Sequence, residues 1–200
     1  MDKKLLSVGV FSILAILLAA AVIYWFGKSP AFRGASYAEP FPAAPPIELT
    51  RADGSVFRLS DQRGRIVLLF FGYTSCPDVC PTTMAEMKQA MDRLGSSADA
   101  VRVVFVSVDP DRDTPERVQE YVSRFRSDFI GLTGTMEQLR PIWDAYGVFR
   151  TVEQSTSAMG YIVNHTARIT LIDADGDLRL SYGFQTPVAD IVHDIKIMLK

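Results

Sequence analysis

Three side chains in this sequence have the chemistry to hold a soft metal ion or to carry electrons. Cys76 and Cys80 are the only cysteines of the chain, and three residues separate them. Pro81 biases Cys80 away from helical geometry, so Cys76–Cys80 is expected to form a turn with converging thiols instead of a regular helical turn. Such a turn closes a disulfide or holds one soft ion. A purely structural staple is a weak reason for the pair, because a loop of about five residues gains only roughly 2 kcal/mol by the loop-entropy relation. Spacing alone leaves metal binding and redox chemistry evenly matched. His165 is one of two histidines, and a lone histidine is most often an ordinary hydrogen-bonded residue. Two thiolates with one imidazole nevertheless suit Cu(I), whereas zinc would normally take a fourth ligand or water. His193 falls within a predicted C-terminal helix and is expected to have no ligand role.

The cysteines follow a strand and precede a helix. Ile66 to Phe71 is a continuous apolar run that ends at Gly72, as expected of a strand covered on both faces. Loops at such strand ends favour functional sites. Thr82 to Leu94 carries Met84, Met87, Ala90, Met91 and Leu94 at helical spacing, with Gly95 as its stop. The methionine stripe is expected to face the core, not copper. Val101 to Val108 is a second apolar strand, and Thr114, Pro115 and Glu116 open a helix to about Arg126. Asp109, Asp111 and Asp113 between them read as a solvated turn. Phe129 to Leu132 is expected as a short strand, and Thr135 to Tyr146 as a helix that Pro141 kinks or divides.

Phe149 to Gly160 reads as an irregular loop. His165 to Asp173 and Leu178 to Phe184 then flank an Asp-Gly turn as a hairpin, and Pro187 opens the last helix. Asp173, Asp175 and Asp177 have the wrong spacing for a calcium loop. Ile47 to Leu59 forms another hairpin around Asp53 and Gly54. Strands alternating with helices define an α/β layered domain with a mixed sheet flanked by helices.

The chain's 200 residues, 48% hydrophobic and 22% charged, suit one globular domain with an appendage. A net charge of -2 with no basic stripe excludes nucleic acid as a partner. Leu5 to Phe26 carries no charge and is flanked by Lys3, Lys4 and Lys28. As a helix it would span roughly 33 Å at about 1.5 Å per residue, against a bilayer core of about 30 Å. Ala19, Ala20 and Ala21 offer a signal-cleavage site. The run continues, however, to Tyr24 and Trp25, an aromatic pair placed for the headgroup layer, which favours a retained transmembrane helix. Residues 1–27 are thus expected as a membrane anchor, 28–46 as an extended Pro- and Ala-rich tether, and 47–200 as the domain. The very short N-terminal tail places that end inside and the domain outside the cytoplasm, where disulfides form.

Three segments carry a family resemblance. Phe70 to Thr82 (FFGYTSCPDVCPT), Val106 to Glu116 (VSVDPDRDTPE) and Tyr161 to Gly176 (YIVNHTARITLIDADG) together resemble, in the same order, the motifs of the Sco/SenC copper proteins. The resemblance implies a thioredoxin-like domain that binds a copper ion through Cys76, Cys80 and His165. It also implies a role in assembling the binuclear CuA site of cytochrome c oxidase. The implied partners are the copper-receiving subunit of that oxidase, other copper chaperones and the membrane. The implied place is the periplasmic side of the inner membrane. Asn164 departs from the Asp that the family often has before the histidine, and Asp78 matches a motif position without an implied copper bond. A metallochaperone working by ligand exchange is the first expectation. The second is a thiol-disulfide oxidoreductase, with Cys76 and Cys80 redox-active, that reduces the cysteines of a copper-receiving protein. A copper-responsive redox sensor is a more distant third.

Overall fold

A computed structural model describes Ile13, residues 15–20, 31–155 and 160–200. The chain divides into two compact units, Met1–Ala31 and Phe32–Lys200. In the first, residues 15–20 are helical and exposed. Among the described residues no helix is long and apolar enough to cross a membrane. Most of the 5–26 run expected to do so lies outside the described residues.

Among its described residues the second unit has ten strands: β1 (Ala35–Ser36), β2 (Glu48–Thr50), β3 (Val56–Arg58), β4 (Ile66–Gly72), β5 (Val101–Ser107), β6 (Ile130–Leu132), β7 (Arg150–Gln154), β8 (Tyr161–His165), β9 (Arg168–Ile172) and β10 (Leu178–Gly183). Its helices are α1 (Val79–Leu94), α2 (Pro115–Ser123), α3 (Met136–Ala145) and α4 (Val188–Met198). The main sheet has the order β1-β10-β9-β4-β5-β6. Pairing is parallel for β4, β5 and β6 and antiparallel elsewhere, so the sheet is mixed, as expected. All seven residues of β4 are buried, which is why that strand reads as an unbroken apolar run. Met84, Met87, Ala90 and Met91 of α1 are buried in the core, as the helical stripe predicts, and Gly95 ends the helix region with φ +59°. Thr114 caps α2 by accepting from the Arg117 amide at 3.2 Å.

Several expectations are corrected. The helix after the cysteines begins at Val79, not Thr82, so Cys80 is helical and Pro81 occupies the third helical position. The first four N–H groups of a helix have no intrahelical acceptor, and a proline there forfeits no hydrogen bond. Likewise α3 runs undivided through Pro141, whose exposed side leaves the freed carbonyl to water. Of the 149–160 segment expected as an irregular loop, the described part is mostly strand, and residues 156–159 lie outside the described residues. Arg150–Gln154 forms β7, paired antiparallel with β8 in the register Arg150↔His165 to Gln154↔Tyr161. That strand is almost wholly exposed, so no alternation of apolar residues announces it. His165 therefore ends β8 instead of starting β9.

The compact unit also begins before Ile47. Asp194 of α4, fully buried, accepts the Arg33 amide at 3.0 Å and the Gly34 amide at 2.8 Å. β1 then pairs with β10, Tyr37 donates to the Arg179 carbonyl, and Leu178 donates to the Pro42 carbonyl. Pro-rich chain is compatible with a sheet edge because only backbone groups are engaged there. Gly34 is required by closeness: a Cβ at that position would stand 2.6 Å from the Tyr182 ring.

Candidate metal centre

Chain direction places the cysteine segment at the carboxyl end of β4, where Gly72 allows the close packing that follows. A Cβ on Gly72 would lie 2.8 Å from Phe105, 3.0 Å from Phe70 and 3.0 Å from Cys80 Sγ. Tyr73 to Asp78 turns, with the Cys76 amide donating to the Tyr73 carbonyl at 3.2 Å. At the start of α1 the Cys80 amide then donates to Cys76 Sγ at 3.4 Å. Cys80 is fully buried and Cys76 half-buried. β8 brings His165 across from the other side, with Nε2 3.5 Å from Cys80 Sγ. His165 Nδ1 lies 3.1 Å from the Thr166 carbonyl. A carbonyl only accepts, so Nδ1 donates to it, and Nε2 is the ring nitrogen that faces the sulfurs. Tyr73 and Phe70 pack edge-on against the ring, with centroids at 5.8 and 6.4 Å.

The two sulfurs are unequal. Cys76 is lowered from its ordinary value of 9.0 to about 3, first by the hydrogen bond from the Cys80 thiol. Contact with His165 and backbone donors add to this, while burial opposes it. Cys80 is pushed up, because it donates to Cys76 and because it is buried. Burial, then the charge on Cys76, raises the Tyr73 phenol to about 12. Cys76 and Cys80 thus share one proton as a thiolate and a thiol. Alkylation of Cys76 by iodoacetamide is expected to proceed at a rate that is flat from about pH 5 to 8, since the thiolate is already formed there. A rate rising tenfold per pH unit across that window would show an ordinary thiol instead.

The donor set is soft: two sulfurs and an imidazole nitrogen beside a cleft of ≈ 200 Å³ lined by Tyr73, Cys76, Val163 and His165. Among the described residues no three His, Cys, Asp or Glu side chains stand ready-arranged to hold a metal ion. Here the sulfurs are joined by the shared proton, so metal entry requires that proton to leave and the side chains to close on the ion. His193 is not brought to the centre; it lies on α4 with Nδ1 2.8 Å from Asp194. Asp78 stays exposed, its Oδ1 3.5 Å from the Thr82 hydroxyl. Asn164 donates to Glu153 at 3.0 Å across the β7–β8 hairpin.

The acidic segment 109–113 is not a solvated turn. Asp111 is exposed, but Asp109 and Asp113 are buried. Asp113 accepts from the Thr74 amide at 3.1 Å, the Thr74 hydroxyl at 2.5 Å and the Ser107 hydroxyl at 2.6 Å. It thereby fixes the turn that leads into Cys76, although burial raises its carboxyl above the usual range. Asp109 pairs with Arg112. The available signal was the position of these acids directly after a buried strand, where a turn doubles back over the sheet end. Asp173, by contrast, accepts the Asp175 and Asp177 amides and the Arg179 guanidinium, which makes it a hairpin residue as expected.

A mixed sheet with helices, paired thiols after its central strand and a histidine facing them define a thioredoxin-like protein with a dithiol–imidazole centre. The chain belongs to the SCO1/SenC family, whose pattern matches residues 35–200. It is 36% identical over 132 residues to an SCO2-like protein of Rickettsia prowazekii, covering 66% of this chain and 64% of that one. It therefore spans a little under two thirds of that relative's length. The solution structure of apo Sco1 from Thermus thermophilus superposes with a TM-score of 0.73 at 37% identity, covering 83% of this chain and 96% of that one. The copper-bound structure of ScoI from Bradyrhizobium japonicum does so at 0.71 and 33% identity, covering 78% and 99%.

Proposed function

We propose that this protein is a copper metallochaperone that holds one Cu(I) on Cys76, Cys80 and His165 and delivers it to the CuA site of cytochrome c oxidase. The observation that carries this reading is the 3.5 Å approach of His165 Nε2 to Cys80 Sγ beside the Cys76 thiolate. Copper bound to the Bradyrhizobium relative supports the choice of ion, and family membership supports the oxidase as recipient. In this role Cys76, half-buried and ionised, is the sulfur that meets an incoming ion first. Cys80 releases its proton and closes from the buried side. His165, held by the Thr166 carbonyl, supplies the nitrogen. Delivery is then ligand exchange, in which a recipient thiolate displaces the more accessible Cys76 first.

Metal analysis of the purified full chain in detergent is expected to find one copper per chain, with Cys76→Ser and Cys80→Ser each losing it to a competing Cu(I) chelator. Full retention in either variant would remove that sulfur from the ligand set. A second reading rests on the same Cys76 thiolate: attack on a disulfide in a copper-receiving protein, followed by attack of Cys80 on the mixed disulfide. The substrate cysteines would be released reduced, and Cys76 and Cys80 would be left joined.

Within this proposal residues 1–27 anchor the protein in the inner membrane and the domain stands on the periplasmic side. Protease added to spheroplasts is expected to digest the domain while the anchor remains in the membrane. A released protein beginning near Val22 would mean that the segment is a cleaved signal.

A further inference from the structure

The loop Asp109–Asp113 grips both halves of the centre. On one side Asp113 holds Thr74, two residues before Cys76. On the other, Arg112 reaches the hairpin that carries His165. Its guanidinium lies over the Tyr161 ring, with Cζ 3.7 Å from the centroid, and 5.6 Å from that of the Tyr73 ring. Arg112 Nη1 donates to the Tyr161 carbonyl at 3.1 Å, and Nε pairs with Asp109. The Tyr161 hydroxyl closes the circuit by donating to Asp109 at 2.7 Å. Tyr161 begins β8 and His165 ends it, about 13 Å apart at about 3.3 Å per residue. The hairpin is a separate two-stranded sheet with no ladder to the main one. Its remaining polar anchors include Arg150, opposite His165, donating to the Val108 carbonyl, and the Val163 amide donating to the Tyr73 hydroxyl at 3.4 Å.

We propose that Arg112 is a positioning residue for His165: by clamping Tyr161 to the buried Asp109, it sets the distance at which the histidine faces the two sulfurs. Three physical points support this. A two-stranded hairpin is marginal without docking, and the docking here combines the buried Val163 with these polar contacts. A guanidinium over the Tyr161 ring that also donates to the Tyr161 carbonyl holds that residue at two points, where a single hydrogen bond holds it at one. Finally, one short loop contacts both the Cys76 turn and the β8 start, so the sulfur–nitrogen separation is referred to a single segment. The inference rests on the copper reading for its metal readout but not for its structural one.

The test is a double-mutant cycle on the full chain. Arg112→Met combined with Asp109→Asn removes the ion pair without leaving a buried charge unpaired. The combination is expected to lower Cu(I) affinity by about tenfold in the parent, as for other residues that orient a ligand, and by less than about twofold in a His165→Ala background. Equal losses in both backgrounds, or no loss in the parent, would overturn the proposal. Tyr161→Ala keeps the Asp109–Arg112 pair and is expected to show the same dependence on background. The metal-free chain gives a separate readout by NMR. The His165 ring protons, shifted by the rings of Tyr73 and Phe70, are expected to move toward free-histidine positions in both variants. Unmoved ring resonances would overturn the role of Arg112 whatever copper does. Wild-type affinity in His165→Ala alone would overturn the copper reading instead, and the ring resonances would still decide the clamp.

Discussion

His165→Ala is expected to abolish copper-dependent oxidase maturation at limiting copper while leaving the Cys76–Cys80 pair able to exchange with disulfides. The two readings of the site share both cysteines, so cysteine variants cannot separate them, whereas the imidazole is needed only for holding the ion. Thiol exchange depends on the thiolate of Cys76. The first cause of its low value is the hydrogen bond from Cys80, and contact with His165 is a lesser one. Removing the ring therefore leaves an ionised, half-buried nucleophile. The measurements are oxidase assembly in cells carrying the variant at normal expression, and exchange of the purified variant with a model disulfide. Full assembly would reject copper delivery through His165 and favour the reductase.

Gly72→Ala is expected to destabilise the domain by about 1–3 kcal/mol through overpacking and to displace Cys80. The added methyl would meet two buried rings and a sulfur at 2.8–3.0 Å, and none of these is the free end of a flexible chain. Phe70 and Phe105 also pack on each other with centroids 6.0 Å apart, so relief has to come from the start of α1. Copper affinity should fall with stability, and the X-ray absorption spectrum should report a changed sulfur environment. Gly183→Ala is the control, since nothing lies within 4 Å of its Cβ position. Equal denaturation midpoints for the two variants would show that the space beneath Cys80 is looser than the packing implies.

The parts of the fold that could be read from sequence are those whose residues were chosen by burial. β4 and β5 announced themselves as apolar runs, and α1 and its core-facing methionines by their spacing. The three residues of the centre were legible because their types are rare in this chain and stand in family motifs. The geometry between them was not. β7 left no trace because its ladder with β8 is made by backbone groups and its side chains face water. The helical start at Val79 was hidden by a rule about the residue before proline, which the unpaired first turn relaxes. Asp109 and Asp113 looked solvated because a carboxylate's burial depends on donors from Thr74, Ser107, Arg112 and Tyr161, and local sequence does not say that these will arrive. The residues before Ile47 read as tether because an edge strand of two residues needs no apolar pattern.

The single proton held between the two sulfurs has a consequence for electroneutrality. With Cys76 ionised and Cys80 protonated, the sulfur pair carries one negative charge before any ion arrives. A singly charged ion entering as that proton departs leaves the sum unchanged. Loading is then a one-for-one cation exchange, and the low-dielectric pocket bears no new net charge when full. A doubly charged ion entering the same way would take the sulfur pair from one negative charge to none. The protonation stoichiometry of the empty centre thus makes the net charge of the loaded centre a function of the valence of the ion it takes.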